Sequence, residues 1–175
     1  LDIDIIATSH GVIWRDHITE IMKLYQEMTT SVKRDKAVVV YDSMWGSTAK
    51  MAKAISEGFI EAGVEVFVFN VNDTPASDII TEVMDSKYIA VGSPTFNNTI
   101  LPDLAAFLSY LKGLAPVGLK YVSFGSYGWG GQSPQIIKDD LEALKFEELV
   151  PAFKQLYYPT DEDLENIKQQ IKAAL

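Results

Sequence analysis

Hydrophobic positions along the chain alternate between two periods. From residue 36 onward, short apolar runs recur: KAVVVYD (36–42), VEVFVFNV (64–71), KYIAVGS (87–93), LKYVSFGS (119–126) and ELVPAFKQLYY (148–158). They are nearly continuous in Val, Ile, Phe and Tyr. That predicts strands covered on both faces, as in a parallel sheet. Helical stripes lie between them. Met51, Ile55, Phe59 and Ala62 share a face, and Gly63 is placed to end that helix. Ala76 to Asp85 forms a shorter candidate around Ile79, Ile80 and Val83. Leu104, Phe107, Leu108 and Leu111 follow the i, i+3, i+4, i+7 spacing, with Pro102 where a first turn tolerates it. Ile137, Leu141 and Leu144 repeat the stripe, as do Leu164, Ile167 and Ile171. Thr160 is placed to cap the last helix, with acidic residues 161–163 in its positive first turn.

Strict strand–helix alternation with right-handed crossovers predicts a doubly wound α/β sandwich, a five-stranded parallel sheet in the order 2-1-3-4-5 with helices on both faces. Ligands of such sheets bind outside the C-terminal strand ends, where the order switches between strands 1 and 3. Residues 1–34 break the alternation. LDIDIIAT reads as a strand with Ile3 and Ile5 on one face, and DHITEIMKLYQEM as a helix with Ile18, Ile21, Met22 and Tyr25 on one face. TTSVKRDK (29–36) is polar and reads as a linker. The expected domains are therefore 1–33 and 34–175.

Composition narrows the chemistry. The 175 residues are 47% apolar, which suits one ordinary domain with an attached piece. The chain begins at Leu1 rather than Met, which implies a processed product or a piece of something longer. No apolar run approaches the roughly 20 residues needed to span a bilayer, and no secretory signal is visible. The expected location is cytoplasmic, away from membranes. There is no cysteine, which excludes disulfides, zinc–thiolate sites, iron–sulfur clusters and cysteine nucleophiles within this chain. The formal net charge is -9 without a Lys/Arg cluster, which argues against a nucleic-acid partner. The acidity reads as solubility, as a bias against adding electrons to a bound cofactor, or as a docking face.

Three strand-end loops carry the candidate chemistry. In the first, Ser43-Met44-Trp45-Gly46-Ser47-Thr48 joins a buried strand to a helix N-terminus, where unpaired N–H groups and the helix dipole favour an anion. Three hydroxyls add donors, and Gly46 lets the backbone turn. Neither G-x-x-x-x-G-K-[ST] nor G-x-G-x-x-G is present. A magnesium triphosphate would want the missing lysine; a single terminal phosphate held by neutral donors would not. The alternative is an ordinary strand–helix turn. In the second loop, Pro94 stiffens the chain, Thr95, Asn97 and Asn98 offer hydrogen bonds to a polyol or ring edge, and Phe96 offers a surface for a flat ring. Asn97 and Asn98 equally suit turn geometry. In the third, Ser126, Tyr127, Gly128, Trp129, Gly130 and Gly131 place two aromatics in a glycine-rich frame. That costs ordering entropy unless amides and a ring engage a planar ligand. One phosphate, a polar linker and a flat ring with hydrogen-bonding edges describe FMN. Trp129 is the expected stacking partner, with Tyr127 and Phe96 behind it. The sequence offers no convincing general base or nucleophile, so no catalytic residue is assigned.

The stretches YDSMWGSTAKMA, GSPTFNNTILP and FGSYGWGG resemble the flavodoxin-like domain of the flavo-diiron proteins, the A-type flavoproteins that include rubredoxin:oxygen oxidoreductases. The first is similar to the flavodoxin phosphate loop [ST]-x-[ST]-G-x-[ST], with Trp45 replacing one hydroxyl donor. The upstream TSHGVIWRD resembles the end of that family's metallo-β-lactamase-like domain. The resemblance covers nearly the whole chain. It implies an oxidoreductase that reduces O2 or NO at a diiron centre, with FMN passing electrons from a rubredoxin-type donor. It implies that His10 is an iron ligand in the complete protein, whose other ligands lie outside this chain. It further implies a head-to-tail homodimer. An alternative reading is a free-standing flavodoxin-like carrier or an FMN-dependent NAD(P)H:quinone reductase. A signalling receiver module would need an aspartate at the end of strand 3, where this chain reads VGSPT.

Overall fold

The computed structural model describes residues 2–29 and 32–175. The chain forms two compact units, Leu1–Val32 and Lys33–Leu175. In the first, β1 (Ile6–Ala7) pairs antiparallel with β2 (Ile13–Trp14), followed by helix α1 (Ile18–Thr29). The strand expected across residues 1–8 is therefore only two residues long, and Ile3 and Ile5 lie outside it, 38% and 52% exposed. A strand persists only as far as it finds a partner, and here the ladder offers two residues on each side. Of the four apolar positions expected along α1, Ile21 is buried, while Met22 and Tyr25 are about half exposed. Of the expected linker, Thr30 and Ser31 lie outside the described residues, and Arg34 to Lys36 already belong to the next strand.

The second unit alternates β3 (Arg34–Tyr41), α2 (Ser47–Glu61), β4 (Glu65–Asn70), α3 (Ala76–Met84), β5 (Ser86–Gly92), α4 (Pro102–Leu114), β6 (Lys120–Tyr127), α5 (Ser133–Ala143), the short β7 (Glu147–Glu148) and β8 (Phe153–Leu156), and α6 (Asp161–Ala173). Every pairing in this sheet is parallel, and the order is β4-β3-β5-β6 with β7 and β8 both on β6. This is the predicted 2-1-3-4-5 order, with the fifth strand in two pieces. Glu148 faces Tyr121 and Phe153 faces Phe124, so residues 149–152 stand opposite only 122 and 123. Pro151, which has no N–H for a ladder, lies inside that interruption.

Alternate side chains of each strand enter opposite cores. Val38, Val40, Ile89, Val91 and Tyr121 meet α3, α4 and α5 through Ile79, Val83, Leu104, Leu108 and Ile137. Ala37, Val39, Ala90, Val122 and Phe124 meet α2 and α6 through Met51, Ile55, Phe59, Ile167 and Ile171. Double coverage is why these strands read as unbroken apolar runs. Thr160 caps α6 as expected: its Oγ1 accepts from the Asp163 N–H at 3.2 Å, and the Asp163 carboxylate accepts from the Thr160 N–H at 2.9 Å. That bond holds the Asp163 carboxyl below its ordinary value.

One charged group enters the base of the sheet. Lys36 is 2% exposed and pairs with Glu82 at 2.8 Å and with Asp85. Burial would depress the ammonium, but hydrogen bonds from it to Asp85 and Glu82 hold its pKa above the ordinary 10.5. A raised folded pKa contributes stability that is complete below pH 10.5 and is lost as the pH rises through the folded value. Glu82→Gln removes one of the two partners and should cost about 1 kcal/mol. Urea unfolding at neutral pH checks the cost, and the difference from the parent should shrink as the pH passes 10.5.

Candidate functional site

Because β3, β5, β6 and β8 run parallel, their C-terminal ends open on the same edge of the sheet. A cavity of about 640 Å³ lies there. The first loop lines it with Met44, Trp45 and Ser47, the second with Pro94, Thr95, Phe96, Asn97 and Asn98, and the third with Ser126, Tyr127, Gly128 and Trp129. Loops far apart in sequence are thus brought to one hollow. Ser43, Gly46, Thr48, Gly130 and Gly131 stand outside its lining.

Each of these five has a place in the supporting structure. Ser43 Oγ accepts from the Gly46 N–H at 3.1 Å, which closes the first turn on itself. Gly46 has φ 86° and is the N-cap of α2, which has no side-chain cap. The opening N–H groups of α2 are therefore available to an anion. Thr48 is fully buried, and its hydroxyl meets Ser126 Oγ at 2.9 Å, tying the first loop to the third. Gly130 and Gly131, both at positive φ, shape the bend that carries Trp129, whose carbonyl accepts from the Gly131 N–H at 3.1 Å.

The second loop is tied to the third by a buried hydroxyl relay. The Thr95 N–H donates to the Ser126 carbonyl at 2.8 Å, and Thr95 Oγ1 donates to Ser133 Oγ at 3.0 Å. Ser133 Oγ donates in turn to the Ser93 carbonyl at 2.8 Å. With their partners inside the protein, these groups are set before any ligand arrives. The tip of the second loop is a two-residue hairpin: Phe96 and Thr99 exchange both backbone bonds, and Asn97 and Asn98 sit at φ 48° and 60°. Asparagine tolerates that left-handed pair. Asn97 and Asn98 thus serve the turn and line the cavity as well.

Two lining residues were not among the sequence candidates. Tyr157 and Tyr158 follow β8 and complete the wall of the cavity. The Tyr157 N–H donates to the Tyr127 carbonyl at 2.8 Å, which holds the pair against the third loop. The available signal was their position, two aromatics at the C-terminal end of the fifth apolar run. Lys50 Nζ lies 4.3 Å from the centre of the Tyr158 ring. At the rim, Trp45 and Trp129 are 85% and 86% exposed, an unusual state for indoles that have no role outside the fold.

A model of the flavodoxin family matches residues 39–170. The chain belongs to the flavodoxin family. FMN is the cofactor of such domains, and this flavodoxin domain fits it: uncapped helix N–H groups and hydroxyls for one phosphate, polar loop atoms beyond them, and exposed rings at the rim. A flavodoxin of known structure from the domain Archaea is 34% identical with a TM-score of 0.72, covering 79% of this chain and 95% of that one. Rubredoxin oxygen:oxidoreductase from Desulfovibrio gigas is 36% identical with a TM-score of 0.92, covering 97% of this chain and 43% of that one. The nitric oxide reductase of Moorella thermoacetica is 40% identical over 166 residues, 94% of this chain and 42% of its own length. The flavodoxin domain and the unit before it together thus match the flavo-diiron proteins. The chain spans about two fifths of the length of these longer relatives.

Among the described residues, no group of three or more His, Cys, Asp or Glu is arranged to hold a metal ion. His10 is exposed, and His17 Nδ1 lies 3.1 Å from Glu20. No helix among the described residues is long and apolar enough to cross a membrane.

Proposed function

We propose that this chain is the FMN-binding electron-transfer domain of a flavo-diiron oxygen or nitric oxide reductase. It takes electrons from a rubredoxin-type donor and passes them towards a diiron site held by another domain. The observation that carries this reading is the meeting of three loops, already bonded to one another, at one cavity on the switch edge of the sheet. Bound FMN supplies the redox chemistry. The chain's own residues bind, orient and tune. The N-terminus of α2, with Ser43 and Ser47, holds the phosphate, and Thr48 contributes its N–H while its hydroxyl braces Ser126. Thr95 to Asn98 face the ribityl chain and ring, and Ser126 to Gly131 border the pyrimidine side. The net charge of -9 makes adding an electron at the site harder and lowers the cofactor's potential.

Residues 1–33 are assigned to the end of the metallo-β-lactamase-like domain and its linker. His10 becomes an iron ligand only where the rest of that domain is present, in a head-to-tail dimer located in the cytoplasm. The similarity to flavo-diiron relatives over 97% of the chain favours this assignment, because that share cannot omit the first unit.

Adding FMN to the purified protein should give a visible flavin spectrum shifted from that of free FMN, with quenched fluorescence and one flavin per chain. A flat titration would remove the reading. Trp129→Ala should weaken FMN about tenfold, the value of one aromatic contact, and move both flavin fluorescence and midpoint potential. If both stay unchanged, Trp129 is not the stacking partner. A free-standing carrier or quinone reductase is the second reading, favoured by the archaeal flavodoxin match over nearly its entire length. NAD(P)H:quinone turnover by the purified chain would select it.

A further inference from the structure

Asp42 follows the apolar run of β3 and is only 4% exposed. Among the described residues it has no ion-pair partner. A buried charge without a counter-ion persists only where hydrogen bonds replace its water. Asp42 Oδ1 accepts two such bonds, from the Ser43 N–H at 2.7 Å and from Asn72 Nδ2 at 2.7 Å. Ser43 is the first residue of the phosphate turn, and its Oγ accepts from the N–H of Gly46, the N-cap of α2. Asn72 belongs to the loop after β4. It is itself held by Asn70, whose Oδ1 accepts from both the Asn72 N–H at 3.1 Å and Asn72 Nδ2 at 3.0 Å. An unbroken line of contacts therefore runs from the end of β4, through Asp42, to Gly46, the N-cap of α2.

We propose that Asp42 and Asn72 are positioning residues for the phosphate of FMN. They hold residues 43–48 in their binding shape and make the loop after β4 a fourth segment of the site. This rests on the FMN reading above. Neither residue lines the cavity, and both act through the turn that Ser43 closes onto Gly46. Charge alone would make Asp42 a poor neighbour for a phosphate; what it supplies is geometry. The loops assigned to the ring depend on the separate relay of Thr95, Ser133 and Ser93, which includes neither residue. The latch therefore governs the phosphate end of the ligand and leaves the ring end alone.

The test titrates the whole 175-residue chain with FMN and with riboflavin, which has the same ring and ribityl chain but no phosphate. Asn72→Ala should weaken FMN about tenfold, the weight of one hydrogen bond to a charged group, and leave riboflavin within about twofold. Asp42→Ala should do the same, and the double variant should be no weaker than the worse single, because both break one connection. Asn72 is exposed, so its variant carries the test even if Asp42→Ala fails to fold. Equal weakening of both flavins by Asn72→Ala, or no change in either, overturns the latch while the FMN reading stands. A parent chain that binds neither flavin overturns both.

Discussion

Gly46→Val should weaken FMN binding at least about 100-fold while leaving the fold largely intact. Gly46 sits at φ 86°, a left-handed conformation that a β-branched residue adopts only under strain of about 1–3 kcal/mol. A Cβ there meets nothing within 4 Å, so no clash spreads the damage into the core. Relief of the strain comes from rotating the turn between Trp45 and Ser47. That rotation breaks the Gly46 N–H bond to Ser43 Oγ and re-aims the first N–H groups of α2. Several phosphate donors are lost together, so FMN should bind at least 100-fold more weakly, a change of about 3 kcal/mol. Thermal unfolding should fall by only a few degrees. Flavin titration followed by fluorescence checks the first expectation, and calorimetry of the flavin-free protein the second. Unchanged affinity would remove the phosphate-cradle assignment.

Gly125→Ala should act in a different way, by weakening the fold as well as the site. A Cβ at this position would lie 2.1 Å from the Ser93 carbonyl oxygen and 2.7 Å from Ser133 Oγ. Neither neighbour can yield. The carbonyl is backbone at the end of β5 and accepts the Ser133 hydroxyl bond, and Ser133 is fully buried. The methyl must therefore push β6 away from the second loop, breaking the Ser133 bond to Ser93 and straining that from Thr95 N–H to the Ser126 carbonyl. Overpacking together with stranded buried polar groups should cost about 3 kcal/mol or more. Urea unfolding should show a lower midpoint, and FMN should bind neither tightly nor with the parent's spectrum. A variant as stable as the parent would show that the second and third loops do not need this close approach.

The legible and illegible parts of the site divide along a physical line. The first turn was readable because a buried strand, a glycine and a helix start follow one another within a dozen residues, and turn chemistry is local. Thr48 shows where this stops. Its residue type suggested a phosphate donor, yet its hydroxyl faces Ser126, 78 positions away. Tyr157 and Tyr158 were missed for a related reason. The fifth apolar run appeared as one strand, but the interruption around Pro151 shifts its second half along β6 and delivers both rings to the cavity.

By itself the sequence determined the order of strands and helices, the double coverage of the sheet, the three loops and their suitability for a singly phosphorylated flavin. These follow from periodicity, capping and turn preference, which act over a few residues. The tertiary structure decided which hydroxyls brace the site and which remain for a ligand, how short the first hairpin is, and that Asp42 and Asn72 meet. Those facts depend on register between strands distant in sequence, and no local pattern encodes register across such separations.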